Sequence, residues 1–344
     1  MLGVLIRDAG YENAYIGKWH VGTSFEKAGY DNASNVGLDD KKADAACEFL
    51  LREHEKPFFL TVSFMNPHNV CELARGQNLP DGPIGDPPTD LSLLPPLPDN
   101  FSIPANEPTV IREIQNSSAV HYPTLDWDEL KWRQYLWGYY RLCEKVDAEL
   151  GRVLDALEEC GQADNTAIVF CSDHGEGIAM HHWNQKQILY DQATRVPMII
   201  VPPHDRDGTV SNDLISVGID VPVTILDLAG VTQPDSMPGV SLLPLVLGET
   251  DSIDRDYVIA ETMFARGGTN LGATGRMIRT DRLKYCVYDN GERREQLFDM
   301  NADPGEMNNL AGAEAFQNEL IRHRKLLLDW AEETSDADFP FVQP

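Results

Sequence analysis

Four short clusters in the 344-residue sequence carry side chains suited to chemistry on an anion. Gly17-Lys18-Trp19-His20 places an ammonium and an imidazole two residues apart; on a strand that spacing puts both on one face, where they could hold an anionic oxygen beside a proton-transfer group. Ser172-Asp173-His174-Gly175 joins a carboxylate to an imidazole, a pair that suits a divalent metal accepting oxygen and nitrogen ligands. His181, His182, Trp183, Asn184, Gln185 and Lys186 follow, and the compact charge of Lys186 suits a sulfate or phosphate oxygen. Pro67-His68 adds another imidazole. Each cluster also has a plain structural reading: a surface lysine beside a core histidine for Lys18 and His20, and a helix cap for Asp173. Their joint position decides between the two readings.

That position is set by the surrounding elements. Residues 1–9 have the pattern of an amphipathic helix stopped by Gly10, and NAYIGKWH after it reads as a strand ending at Lys18 and His20. KPFFLTVSF (56–64) is apolar, aromatic and β-branched, a buried strand ending just before Asn66-Pro67. NTAIVFCSD (165–173) and RVPMIIVPP (195–203) are continuous apolar runs with a short helical stretch between them. Asp126 to Cys160 repeats apolar residues at helical spacing, with Gly161 as its stop. Buried strands alternating with helices predict an α/β domain with a mainly parallel sheet, whose ligand sites lie at the carboxyl ends of the strands. Residues 78–108 are proline-rich and predict a long extended loop near the site. Beyond about residue 250 short strands and a helix over 313–333 predict a smaller α+β unit, so the expected division is a catalytic domain over 1–250 and a C-terminal subdomain over 251–344.

Composition narrows the partners. Acidic residues outnumber basic ones by 55 to 28, a formal charge of −27 that repels nucleic acid and anionic membrane surfaces. An anion site here must be a local basic pocket working against that field. No apolar run approaches the ~20 residues of a membrane span, and the first residues lack the basic leader of a signal peptide, with Arg7 and Asp8 interrupting the apolar run. The six cysteines form no C-x-x-C pair, which argues against a zinc knuckle or a disulfide framework.

Taken together, GYENAYIGKWHVG, PFFLTVSFMNPH, DNTAIVFCSDHGEG, HHWNQKQILYDQATRVPMII and QLFDMNADPGEMNNLA resemble, in order and over nearly the whole chain, the formylglycine-dependent (type I) sulfatases. The resemblance implies an alkaline-phosphatase-like fold that hydrolyses sulfate esters with one calcium and a formylglycine made from cysteine. It implies that Lys18 and Lys186 bind the sulfate, that His20 supports the formylglycine, and that His68 contacts the sulfate or leaving group. Asp173 and His174 match two metal ligands, and His181 matches a recurrent active-site histidine. Sulfated carbohydrate or aryl sulfate esters are the implied substrates, with Trp183 and the proline-rich loop as candidates for shaping a sugar subsite. Relatives of this kind are often exported.

The sequence departs from the family in one respect. Members carry a pair of aspartates and then C-x-P/A-x-R ahead of the G-K-x-H segment, and no cysteine or serine among these 344 residues begins that motif. Cys71-Glu-Leu-Ala-Arg75 comes nearest, but Leu73 stands in the Pro/Ala place and the segment follows Lys18. The expectation is a chain that binds an anion poorly and turns nothing over, and that folds poorly alone because a strand inside its sheet is missing. Two further readings are a non-catalytic binder of sulfated glycans and a phosphodiesterase or phosphonate hydrolase of the same superfamily. The two lysines argue for one metal where two-metal relatives place a second. The sequence does not indicate an oligomeric state.

Overall fold

The computed structural model describes residues 1–118, 121–204, 208–266 and 269–336. Its amino-terminal part is built on a parallel three-stranded sheet. Helix α1 (Leu2–Asp8) leads into β1 (Glu12–Gly17), the central strand, flanked by β2 (Asn32–Ser34) and β3 (Phe58–Ser63), with the one-turn α2 (Phe25–Ala28) before β2 and α3 (Asp39–Leu51) before β3. Ala14 and Ile16 pack against Ala43, Ala46, Phe49 and Leu50 of α3. The same core receives Val153, Ala156 and Leu157 of α6 (Glu129–Glu159). That helix begins where Asp128 accepts a hydrogen bond from the Lys131 amide at 2.8 Å, close to the sequence expectation. Before it lie α4 (Val70–Ala74) and α5 (Thr109–Ser117). The proline-rich stretch is indeed an extended loop; Arg133 and Gln134 of α6 hold the carbonyls of Pro95 and Pro88.

One expectation about the sheet is corrected. Strands β4 (Ile168–Cys171) and β5 (Met198–Val201) pair antiparallel, Ile168 opposite Val201, and form a separate two-stranded ribbon. The reason is the connection. Gly175 and Glu176 donate their amides to the carbonyls of Ala193 and Gln192, so the chain doubles back on itself through α7 (Asp191–Thr194) instead of crossing over a helix. The fold class stands as α/β, with the parallel arrangement confined to β1–β3.

After β5 come α8 (Val217–Leu228) and α9 (Leu243–Val246). The antiparallel sheet β6 (Val258–Arg266), β7 (Thr269–Arg279), β8 (Leu283–Tyr288) and β9 (Glu295–Asp299) follows, then α10 (Gln317–Thr334). One face of this sheet packs on Leu320, Leu327 and Ala331 of α10. The other face shares a core with Val110, Ile111 and Ile114 of α5 and with Trp183, Ile188, Leu189 and Tyr190. The carboxy-terminal sheet is thereby joined to the segment that carries Lys186. The junction includes Lys284, 0% exposed, whose ammonium lies 2.8 Å from Asp191 and 2.7 Å from Glu306. Burial works against that charge, but the two carboxylates hold it.

Candidate active site

The carboxyl ends of β1, β3 and β4 meet at the mouth of a cleft of about 2570 Å³, lined by Lys18, His20, His68, Asp173, His174 and Lys186. Strand β1 stops at Gly17, whose φ of +117° and whose approach to the Ser63 carbonyl leave no room for a side chain: a Cβ would sit 2.1 Å from that oxygen. The Lys18 amide still donates to Ser63 at 2.8 Å. Trp19 turns the other way into a cluster with Tyr15, Phe25 and Tyr30. Lys18 and His20 thus reach the cleft from just beyond the strand.

His68 is placed by a buried ionic network that the sequence did not flag. Asp39, at the start of α3, accepts hydrogen bonds from the amides of Met65 and Asn66 and pairs with Lys42 at 2.7 Å. Asp81 holds the Asn66 and Asn69 side chains at 3.0 and 2.6 Å. The turn after β3 is pinned on both sides. Burial, reinforced by the charges of Lys18 and Lys186, lowers the His68 pKa to about 4, so its imidazole is neutral at pH 7.

At the end of β4 the Lys18 ammonium lies 4.0 Å from Asp173, and Lys186 donates to His174 Nε2 at 2.7 Å while His174 Nδ1 lies 2.8 Å from the Gly175 carbonyl. An ammonium on Nε2 requires a neutral ring with its proton on Nδ1. Burial lowers the His174 pKa in the same sense. Burial opposes the charge on Asp173, yet Lys18 and Lys186, with the His174 amide that donates to it, hold its carboxyl below the ordinary value. Gly175 is required here too, since a Cβ would lie 1.9 Å from the Gln192 carbonyl.

The loop bearing Lys186 adopts left-handed backbone at Ile178, Ala179, His181, His182, Gln185 and Gln187, a conformation unfavourable for side chains with a Cβ and one that needs outside support. Arg112 of α5 supplies part of it, donating to the carbonyls of His181 at 2.6 Å and His182 at 3.3 Å while its guanidinium grips Glu107. Gln115 adds a bond to the His182 carbonyl at 2.8 Å. Glu176 accepts from Tyr135 at 3.0 Å and from the Gln185 amide, and burial raises its carboxyl pKa.

Two sequence candidates lie away from the cleft. His181 is fully buried and stacked on Tyr190 at 3.8 Å, with Nδ1 2.9 Å from Gln192 Nε2 and Nε2 3.0 Å from the Gly305 carbonyl. Both ring nitrogens are taken, and the residue supports Gln192, which does line the cleft. Trp183 is also 0% exposed, packed against Tyr122 and beneath Arg112, so it shapes no sugar subsite; Asp99 and Asn100 from the proline-rich loop reach the cleft instead. Asp39, Lys42, Asp81, Arg112 and Glu176 escaped the sequence reading. Only α3, with apolar Ala43, Ala46, Phe49 and Leu50 at helical spacing, left a usable trace of them.

The residues present do not by themselves fit calcium, which takes six to eight oxygen ligands. Asp173 is the one carboxylate beside Lys18 and His174, the His174 nitrogen facing it is occupied by Lys186, and no group of three metal-ligating side chains occurs among the described residues.

Two ammonium groups, three imidazoles and one carboxylate gather at three strand ends. The sulfatase family model matches residues 1–231, and that of the N-sulphoglucosamine sulphohydrolase C-terminal region matches residues 179–332. The chain belongs to the sulfatase family. It is 32% identical to the Delta 4,5-hexuronate-2-O-sulfatase of Bacteroides thetaiotaomicron, over 97% of this chain and 72% of that protein. It is 30% identical to an arylsulfatase of Clostridium perfringens, over 80% of this chain and 54% of the relative. The solved structure of a 2-O GAG sulfatase superposes with a TM-score of 0.83 at 30% identity, over 100% of this chain and 76% of the other. By family the chain is a sulfuric ester hydrolase, and its alkaline-phosphatase-like architecture agrees with that likeness. No described helix is long and apolar enough to cross a membrane.

Proposed function

We propose that the cleft binds the sulfate group of a sulfated carbohydrate, with Lys18 and Lys186 neutralising the sulfate oxygens and the neutral His68 donating a hydrogen bond to the sulfate or the bridging oxygen. The observation that carries this reading is the convergence of both lysines on the ends of β1 and β4 in a chain of net charge −27. A compact ammonium is an effective partner for such oxygens. His20, exposed at the cleft mouth, stands where a reacting group would be approached. The family's formylglycine would supply the attacking oxygen and its calcium would offset developing charge, but these residues complete neither site.

Neither Cys71 nor Cys171, the cleft cysteines near the site, has the character of that nucleophile. Burial pushes the Cys71 thiol up to about 11 and also raises that of Cys171, the opposite of an activated thiolate. The likeness to the hexuronate and GAG sulfatases favours a sulfated uronate unit as substrate. Calorimetric titration with an unsaturated uronate 2-O-sulfate disaccharide and its desulfated form tests the reading. Binding only of the sulfated sugar, weakened in Lys18→Ala and Lys186→Ala, supports it; equal binding of both sugars overturns it.

A further inference from the structure

Lys186 sits between two residues in left-handed backbone, Gln185 with φ +79° and Gln187 with φ +78°. Neither is glycine, so neighbouring groups must hold both in that conformation. Strand β6 holds the second: Thr262 donates its hydroxyl to the Gln187 carbonyl at 2.9 Å, and the Gln187 side chain donates to the Ala265 carbonyl at 3.0 Å. Glu176 holds the first. Its Oε1 accepts from the Gln185 amide, while the Gln185 carbonyl accepts from the Gly177 amide at 2.9 Å. Both backbone groups of the residue before Lys186 are thus bonded to the segment that follows Asp173 and His174. Glu176 is itself fixed from α6. The Tyr135 hydroxyl donates to the same Oε1 at 3.0 Å, and the Tyr135 ring packs against Trp127 and Trp132. Burial raises the Tyr135 pKa, so the hydroxyl stays a donor. Beside this clamp the Lys186 ammonium meets His174 Nε2 at 2.7 Å.

We propose that Glu176 is the positioning residue for Lys186: by clamping the Gln185 amide to the segment after β4 it aims the ammonium at the anion pocket, without touching the anion itself. A lysine side chain is long and flexible, and fixing the backbone it hangs from removes part of the freedom that binding would otherwise have to remove. Lys18 hangs from the end of β1 and is outside the reach of this clamp. The proposal rests on the reading of Lys186 as a sulfate-binding group. It assigns to a carboxylate, a group that would repel sulfate in direct contact, a favourable effect on sulfate binding exerted through the backbone. A residue that only supports the fold costs binding in every background, whereas one that acts through Lys186 costs nothing once Lys186 is gone.

Calorimetric titration with the unsaturated uronate 2-O-sulfate disaccharide provides the first test. Glu176→Ala should weaken binding about tenfold in the unaltered chain and in Lys18→Ala, and less than about twofold in Lys186→Ala. Glu176→Gln keeps an acceptor oxygen and should stay within about threefold of the unaltered chain. An equal loss in the Lys186→Ala background overturns the proposal, as does a loss in Glu176→Gln as large as that in Glu176→Ala. A second readout needs no sugar: the nitrogen resonance of His174 Nε2 at about pH 8, where an ordinary imidazole is neutral. It should move in Glu176→Ala towards its position in Lys186→Ala and hold its place in Glu176→Gln; a resonance unmoved in Glu176→Ala overturns the proposal. Should Glu176→Ala fail to fold, Tyr135→Phe withdraws one of the two donors on the same carboxylate oxygen and should give a smaller shift in the same direction, and no shift overturns the proposal. Equal binding of the sulfated and desulfated sugars removes the substrate reading and leaves the resonance to decide this inference.

Discussion

At the scale of single residues, the site is a contest between charge and burial. Lys18 and Lys186 hold Asp173 ionised while they and burial keep His68 and His174 neutral. Removing either lysine deletes a charge-assisted hydrogen bond to the sulfate, a loss of roughly 1.5–3 kcal/mol. Lys18→Ala and Lys186→Ala should each weaken binding of the sulfated sugar by about ten- to a hundredfold in calorimetric titration. The buried histidines predict an acid-side loss of stability. His181 has a folded pKa of about 4 against an ordinary 6.5. Above pH 6.5 it is neutral in both states; below that the unfolded chain takes up a proton that the folded chain refuses. Its contribution is thus lost as pH falls from 6.5 to 4, up to about 3 kcal/mol. Urea denaturation at pH 7 and pH 4.5 measures the loss, and His181→Phe, which keeps the stack on Tyr190 without a titrating group, should lessen it.

Among the elements, α5 governs the site without touching substrate. Arg112 and Gln115 supply the donors that hold the left-handed carbonyls of His181 and His182. Each carbonyl left without a partner costs about 1–3 kcal/mol. Arg112→Ala should accelerate hydrogen exchange over residues 178–187 and weaken sugar binding about tenfold. Arg112→Lys should restore little, because an ammonium cannot span two carbonyls and Glu107 together. The turn carrying His68 is held by the same kind of device, the buried Asp39–Lys42 pair. Asp39→Ala leaves the Lys42 charge buried without its partner and should lower stability by about 3–5 kcal/mol in denaturant titration.

For the whole molecule, the two-stranded β4–β5 ribbon presents apolar side chains to solvent. Phe170 of β4 and Ile199 of β5 are 39% and 56% exposed. Apolar surface and open strand edges in one place favour association between chains. This surface should therefore drive reversible self-association as protein concentration rises, and Phe170→Ser and Ile199→Ser should weaken it; a light-scattering mass that stays monomeric at all concentrations would refute this.

What the sequence determined by itself is local or chemically distinctive. The long α6 and the strands β1, β3, β4 and β5 follow from apolar periodicity, and the lysines, His20, His68, Asp173 and His174 stand out because their types recur at strand ends. The family resemblance rested on those motifs in order. The tertiary structure decided what depends on partners distant in the chain. It buried His181 and Trp183, which read as cleft residues, because the carboxy-terminal sheet packs over their segment. It turned β5 antiparallel to β4, since backbone bonds from Gly175 and Glu176 fold the connection back, and a strand's own pattern carries no record of its neighbour's direction. It recruited Asp39, Asp81 and Arg112 as supports, because a charged residue shows its type in the sequence but not the backbone groups it will satisfy.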